Sequence, residues 1–311
     1  MNLRHLAVFH GIAKAGTVNA AAQLLHTSQP AVSRELRALE DRLGVPLFDR
    51  LPRGMRLTEA GRTLAGYAER IFGLEQAAER AMRELAGLEG GELTIGASNT
   101  LGMYLLPPFV AAFHMRYPKV ILNLDIGNTQ QIVKGVVDAR FALGFVEGRV
   151  RDEALEAREF RRDRIVAVVA PDHSLAKAGT LSVQALATAP SILREPGSGT
   201  REIVERAFAR HRLELHCSLQ ISSSEALKRA ALEGGGVGWI SEACVTEELR
   251  SGRLVALETS RLPLERPLYS LRLRGRHLNR SAHVFMQEFG ARTGLYSRSC
   301  SALSAAKRFH L

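Results

Sequence analysis

Cysteine is scarce in this chain, and its three copies, Cys217, Cys244 and Cys300, lie far apart without CxxC spacing. That excludes a disulfide framework and a zinc-binding pattern, and leaves buried or incidental thiols, or a thiol that senses oxidants, as open readings. Long apolar runs are missing too. No uninterrupted apolar stretch approaches the roughly 18 residues that would cross a bilayer. The opening MNLRHLAVFHGIAKAG has a polar or charged residue every few positions, so it holds no secretory core, and a cytoplasmic protein with no membrane partner is expected. The common catalytic signatures are also absent: there is no GxxxxGK phosphate loop, no GxSxG elbow and no HExxH, and PGSGT at 196–200 has no Lys behind it. The ten histidines form no ligand-spaced cluster on one helix. No catalytic residue, metal site or cofactor is expected, and the chain reads as a non-enzyme.

What the chain does have is positive charge. Its 42 Lys and Arg against 32 Asp and Glu give a net charge of +10, which favours an anionic partner, with nucleic acid the leading candidate. At 311 residues, 46% apolar and 24% charged, it is long enough for two or three compact units of ordinary globular composition.

The stretch Thr17 to Arg34, TVNAAAQLLHTSQPAVSR, reads as two short helices meeting at a tight turn. Thr17 is a candidate cap for the first, whose Ala21, Leu24 and Leu25 recur at helical spacing. Ser28 can cap the second, with Pro30 in the first turn, where a missing N–H costs nothing. This predicts a helix-turn-helix that presents Thr27, Ser28, Gln29, Pro30, Ala31, Ser33, Arg34 and Arg37 to DNA: small polar, methyl and guanidinium groups suited to base edges and phosphates. A helix over Asn2 to Ala15, with Leu3, Leu6, Phe9, Ile12 and Ala13 inside and Gly16 as its stop, would support the pair. The second helix turns Val32, Leu36, Leu39 and Leu43 inward and is stopped by Gly44. Arg50 to Leu57 then reads as a wing, with Arg50 and Arg53 placed for phosphates or a minor groove.

From Thr58 the apolar positions Ala60, Leu64, Tyr67, Ile71, Leu74, Ala78, Ala81, Leu85 and Leu88 alternate spacings of four and three. Such a seam among crowded Glu and Arg predicts a helix that dimerises through Leu64, Tyr67, Ile71, Leu74, Ala78, Ala81 and Leu85. A helix packed on its own domain is the alternative. Gly87, Gly90 and Gly91 end it and mark a hinge.

Beyond the hinge, strands and helices alternate, which predicts an α/β domain with largely parallel strands. Strands are expected at 92–97, 120–126, 141–146, 165–170, 191–194, 218–222, 237–241 and 267–273. Helices are expected at about 98–115, 129–138, 183–187, 201–211, 224–233 and 280–293. The last residues, 294–311, read as a basic flexible tail.

The stretches AAAQLLHTSQPAVSRELRALEDRLGVPLFDR at 20–50 and LTEAG at 57–61, with the α/β units behind them, resemble the LysR-type transcriptional regulators. GNT at 127–129, GFVEG at 144–148 and REPGSGTRE at 194–202 are similar to that family's regulators of sulfur assimilation and carbon fixation. The resemblance covers about residues 1–293. It implies an N-terminal winged helix-turn-helix at 1–58, a linker helix and hinge at 59–90, and a two-lobed effector domain like a periplasmic binding protein at 91–293. It also implies a first lobe of about 92–163 plus 267–293 and a second of about 164–266. The partners it implies are a dyad-symmetric operator, a second copy of the chain in a homodimer or tetramer, a small effector, and RNA polymerase if the protein activates.

Three turns place hydroxyl and amide groups between a strand's end and a helix start: Ser98-Asn99-Thr100, Asn128-Thr129, and Ser198-Gly199-Thr200-Arg201. Helix N-termini offer unpaired N–H groups and a positive dipole end, and ligands of open α/β sheets bind at such strand ends. These nine residues are therefore the candidate cage for a small anionic effector. Each hydroxyl could instead be a helix cap and nothing more. An architectural DNA-binding protein with a vestigial sensor domain is the alternative function.

Overall fold

The computed structural model describes residues 2–51, 54–85, 91–148, 150–259, 262 and 264–293. Arg53 of the expected wing, Leu88 of the expected seam, Gly87 and Gly90 of the expected hinge, and 294–311 with Cys300 lie outside the described residues, as do the side chains of Arg50, Ala81 and Leu85. The chain forms two compact units, Met1–Glu79 and Arg80–Leu311.

The first unit is built from local signals. Asn2 accepts from the His5 N–H to open α1 (Leu3–Ala15), which Gly16 closes at φ 72°. Thr17 accepts from the Ala20 N–H to open α2 (Val18–Leu24), and His26, at φ 49°, turns the chain into α3 (Gln29–Leu43). Ser28 holds the cap position of α3 but makes no side-chain capping bond, contrary to expectation. Strands β1 (Phe48–Leu51) and β2 (Gly54–Leu57) pair antiparallel as the expected wing. The Met55 N–H donates to the Gly16 carbonyl at 2.8 Å, and any Cβ on Gly54 would meet that oxygen at 2.9 Å. The wing is thereby fixed against the turn between α1 and α2.

Thr58 caps α4 (Glu59–Leu85) by accepting from the Gly61 N–H at 3.0 Å. Leu6, Phe9, Ile12, Ala21, Val32, Leu36, Leu39, Leu47, Phe48 and Ala68 form one buried core. Leu3, Leu24 and Leu43, expected inside, are exposed, because each sits at or next to a helix end where no neighbouring element covers it. The seam expected on α4 is divided: Leu64 and Ile71 lean on this core beside Ala65 and Phe72, while Tyr67, Leu74 and Ala78 are exposed.

The second unit runs β3 (Glu92–Ser98), a π-helical turn (Leu101–Leu105), α5 (Pro107–Arg116), β4 (Ile121–Gly127), α6 (Thr129–Val137), β5 (Leu143–Glu147) and β6 (Leu155–Val169). It continues through a 3₁₀ turn (Ser174–Lys177), β7 (Thr180–Leu181), α7 (Val183–Thr188), β8 (Ser191–Arg194), α8 (Gly199–Ala209), β9 (Cys217–Ile221), α9 (Ser224–Leu232) and β10 (Val237–Ser241). A second 3₁₀ turn (Glu242–Cys244), α10 (Thr246–Arg250), β11 (Val255–Ala256), β12 (Glu258–Thr259), β13 (Glu265–Leu273) and α11 (Arg280–Thr293) complete it.

The main sheet has the order β4-β3-β5-β13-β6-β10-β8-β9. Its two ends are parallel, with β4, β3 and β5 on one side and β10, β8 and β9 on the other. The middle is antiparallel, which corrects the expectation of a largely parallel sheet there. Strand β6 is the bridge: residues 155–164 pair with β13, and 165–168 pair with β10. This makes two lobes, each with its own cores, joined by two crossing strands. The helix expected at 98–115 is broken, because Pro107 and Pro108 cannot continue a helix from behind and restart it as α5.

A Cβ on Gly61 would lie 2.1 Å from the Leu47 carbonyl oxygen, backbone against backbone, so Gly61→Ala has to move α4 away from the wing. It should cost about 1–3 kcal/mol. Hydrogen exchange of the α3 amides in the full chain checks this, with protection lost by roughly 5- to 150-fold. Unchanged protection would mean that α4 docks differently.

Candidate functional site

Two clusters stand out, one in each unit. On the first, Thr27 and Ser28 are exposed at the turn before α3, Gln29 and Pro30 are exposed at its start, Ala31 and Ser33 are half-buried just behind them, and Arg34 and Arg37 are exposed on the same helix. Gln29 donates its amide to the Ser33 hydroxyl at 3.3 Å, which steadies two neighbouring polar groups on that face. Neither Arg34 nor Arg37 forms an ion pair with a described residue, whereas Arg56 on the wing is held by Asp49 at 3.3 Å. The face thus offers unneutralised guanidinium groups beside short polar ones. That is what a phosphate-and-base interface requires.

In the second unit the predicted turns converge. Ser98, Thr100, Ser198, Gly199 and Thr200 are buried, while Asn99, Asn128, Thr129 and Arg201 are half-buried. Two of them, Thr100 and Thr200, bond a group that the sequence did not flag, Arg266 at the head of β13, which is fully buried. Its Nη1 donates to the Thr200 hydroxyl at 2.7 Å, its Nη2 to the Thr100 hydroxyl at 3.1 Å, and its Nε to Asp163 Oδ2 at 2.7 Å. Glu147 Oε1 lies 3.3 Å from Nη1, and the other Glu147 oxygen accepts from Ser98. Asp163 also accepts from the Ser241 hydroxyl at 2.8 Å. Hydroxyls from both lobes and carboxylates at the end of β5 and on β6 therefore meet on one guanidinium.

The other predicted residues hold this centre in shape. Thr129 donates to the Glu147 carbonyl and accepts from the Gly199 N–H, both at 3.3 Å, which ties the start of α6 to the start of α8. A Cβ on Gly199 would come within 2.4 Å of the Glu147 carbonyl oxygen, so only glycine lets the lobes meet this closely. Asn128 and Gln131 form a capping box on α6, and Asn99 donates to the Gly127 carbonyl. Ser198 makes no capping bond. The Arg201 guanidinium is occupied by Glu205, Gln220 and the Arg194 carbonyl. Burial pushes the Glu147 carboxyl above the usual carboxylate range, against the pull of Arg266 and then Arg194. Two carboxylates, Glu147 and Asp163, share one central guanidinium.

A second bridge lies beside the centre. Tyr104, on the π-helical turn, donates to Glu225 on α9 at 2.6 Å, and Lys228 reaches both Glu225 at 2.9 Å and Glu248 at 3.2 Å. The hydrogen bonds from Tyr104 and Lys228 hold the Glu225 carboxyl down at about 2. Cys244 is buried, which pushes its thiol up to about 12 and keeps it unreactive. Among the described residues no group of His, Cys, Asp and Glu could hold a metal ion. No described helix is long and apolar enough to cross a membrane.

Residues 3–62 match the bacterial regulatory helix-turn-helix protein, lysR family, and residues 86–294 match the LysR substrate binding domain. The uncharacterized HTH-type transcriptional regulator YeiE of Escherichia coli strain K12 is 35% identical over 92% of this chain and 96% of its own. The RuBisCO operon transcriptional regulator of Allochromatium vinosum is 33% identical over 92% and 95%. Among solved structures, the CcmR regulatory domain of Synechocystis PCC6803 in complex with 2-PG aligns at a TM-score of 0.61 and 27% identity, over 66% of this chain and 97% of that one. Full-length CbnR complexed with its target DNA aligns at 0.66 over 94% and 100%, and at 22% identity it attests the fold alone.

Because folding raises the Glu147 affinity for its proton, the native chain binds more protons than the unfolded one above the ordinary carboxylate range. This contribution to stability is fully present below that range and is lost as pH rises through the raised native value. Glu147→Gln should therefore flatten the fall in stability toward neutral pH, by at most about 1.4 kcal/mol per pH unit. Denaturant unfolding of both proteins across that range measures it, and parallel curves would contradict the assignment.

Proposed function

The chain belongs to the LysR family of bacterial transcriptional regulators, and from that premise we propose that a small anion bound between its two lobes controls how it holds a dyad-symmetric operator. In this reading residues 1–58 bind DNA in the cytoplasm, 59–90 join two copies, and 91–293 sense the effector. The lobes divide at about 163/164 and 266/267. Gln29, Ser33 and Arg34 read bases or adjacent phosphates, with Thr27, Ser28, Pro30, Ala31 and Arg37 alongside and Arg50 and Arg53 on the backbone or minor groove. Dimerisation uses the stripe Leu64, Tyr67, Ile71, Leu74, Ala78, Ala81 and Leu85. Tyr67 and Leu74, both more than half exposed, favour a second helix as its cover. Dimers or tetramers then set half-sites about one helical turn, or a multiple of it, apart. If the protein activates, the arrangement it holds on DNA is what RNA polymerase meets.

One observation carries the effector reading: the Arg266 guanidinium donates to a hydroxyl from each lobe, Thr100 and Thr200. An oxyanion or short carboxylate can take those donors, with Ser98, Thr129 and the N–H groups of Asn99, Gly199 and Thr200 completing its shell. The relative CcmR, whose regulatory domain was solved with 2-PG, supports a small ligand in this fold. A ligand shifts the protein only by its differential affinity for two arrangements, so operator DNA must change effector affinity by the same factor, about 5- to 150-fold.

Calorimetry of sulfate, sulfite, phosphate and short organic acids, with and without operator DNA, tests this on wild type, Thr100→Val and Thr200→Val. The expected result is one anion class whose affinity falls in both variants and changes when DNA is bound. A cognate anion indifferent to both substitutions would overturn the site, and no anion binding at all would favour an architectural protein. On the DNA side, Ser33→Ala should cost roughly 1–3 kcal/mol on the operator and far less on scrambled DNA, whereas Arg37→Ala should weaken both alike. Equal losses on the two DNAs for Ser33→Ala would remove it from base reading.

A further inference from the structure

The short turn Leu101–Leu105 is π-helical: the Leu106 N–H donates to the Leu101 carbonyl, five positions back, at 2.8 Å. Pro107 and Pro108, which follow it, have no N–H for an ordinary helical bond to the carbonyls of Met103 and Tyr104. The turn sits tightly on β4, because a Cβ on Gly102 would meet the Ile126 side chain at 2.8 Å. Such single π-helical turns are frequent at functional sites.

This turn reaches in three directions. Leu101 and Leu106 at its two ends are buried in the first lobe's core. Thr100, just before it, accepts from Arg266 Nη2 in the cage. Tyr104 instead leaves its own lobe and packs against the second lobe's core, which holds Ile192, Leu227, Ile240 and Cys244. There its hydroxyl donates to Glu225 at 2.6 Å, and Lys228 Nζ stands 5.6 Å from its ring centroid. Lys228 also joins Glu225 to the buried Glu248. Burial and the bond to Glu225 push the phenol up, so it stays a donor.

We propose that Tyr104 is a latch between the lobes and that the π-helical turn couples it to the cage. A ligand that takes the Thr100 hydroxyl from Arg266 shifts the turn and withdraws Tyr104 from the second lobe. Held by two buried leucines and the Gly102 contact, the turn carries Tyr104 with it when Thr100 moves. The latch shares no residue with the Arg266 cluster, so it is a separate link between the lobes. This deepens the effector reading and rests on it for the ligand alone.

The test needs no ligand, so a failed search for an effector anion leaves it decisive. In the full chain with Cys217→Ser and Cys300→Ser, Cys244 is the remaining thiol, and its rate of labelling by iodoacetamide reports withdrawal of Tyr104 from the core around it. Tyr104→Phe, which keeps the ring and removes the hydroxyl, should raise that rate by about 10-fold or more. Thr100→Val should raise it as well, since it takes the hydroxyl from Arg266 as a ligand would. Thr200→Val removes the other cage hydroxyl from the same guanidinium but lies off the turn, and should leave the rate within about twofold of the parent. Hydrogen-exchange protection of β10 at 237–241 should stay the same in all three. An unchanged rate in Tyr104→Phe, or equal rates in Thr100→Val and Thr200→Val, would overturn the proposal. So would faster labelling accompanied by lost protection at 237–241, which would make Tyr104 a core side chain and nothing more.

Discussion

A guanidinium cannot be buried without partners for its five N–H donors, and the second unit is arranged around meeting that requirement at Arg266. The partners come from four different places: Thr100 after β3, Glu147 at the end of β5, Asp163 on β6 and Thr200 in the first turn of α8. Removing a charge from water costs several kcal/mol, so the arrangement is stable only when all four positions are correct together. That converts a local ion cluster into a constraint on lobe placement. Thr100 belongs to one lobe and Thr200 to the other, and the strands that carry Arg266 and Asp163 are the connection between them. A ligand that takes either hydroxyl's donor has to alter the balance between the lobes, which is what a sensor requires.

The first unit follows a different logic. Its positions are set by the backbone of short turns: Gly16, His26 and Gly44 in left-handed conformations, Gly54 against the Gly16 carbonyl and Gly61 against the Leu47 carbonyl. These close backbone approaches fix the wing against the turn between α1 and α2 and the start of α4 against Leu47. Among the described residues Arg34 and Arg37 have no ion-pair partner, so both guanidinium groups stay open on that face. The exposed apolar side of α4 at Tyr67 and Leu74 is the other open feature.

Much of this was legible in the sequence because it is local. The cap at Thr17, the stops at Gly16 and Gly44, and the hairpin of the wing depend on residues a few positions apart. The three turns that meet near Arg266 were legible for the same reason, each being a strand end followed by a helix start. Strand β6 was only partly visible: its last five residues are apolar, but EAREFRRDR before them carries so much charge that no strand period shows. It is a strand because β13 pairs along its length, and no local pattern reports that. Arg266 was invisible. It is one arginine before a proline, and its partners lie 66, 103 and 166 positions away. The one available signal was the unexplained Glu147 within GFVEG, a carboxylate at the end of an otherwise apolar strand that had to find a cation.

The central claim is that Arg266 couples the two lobes, and Arg266→Met tests it most directly, since methionine fills similar space while removing every donor. Native-state hydrogen exchange in the full chain would follow the amides of 101–105 in one lobe and 199–204 in the other. The account predicts that protection falls in both segments together, although they lie on opposite sides of the crossing strands. Loss confined to β13 and its neighbours in the sheet, with both helix starts still protected, would contradict it.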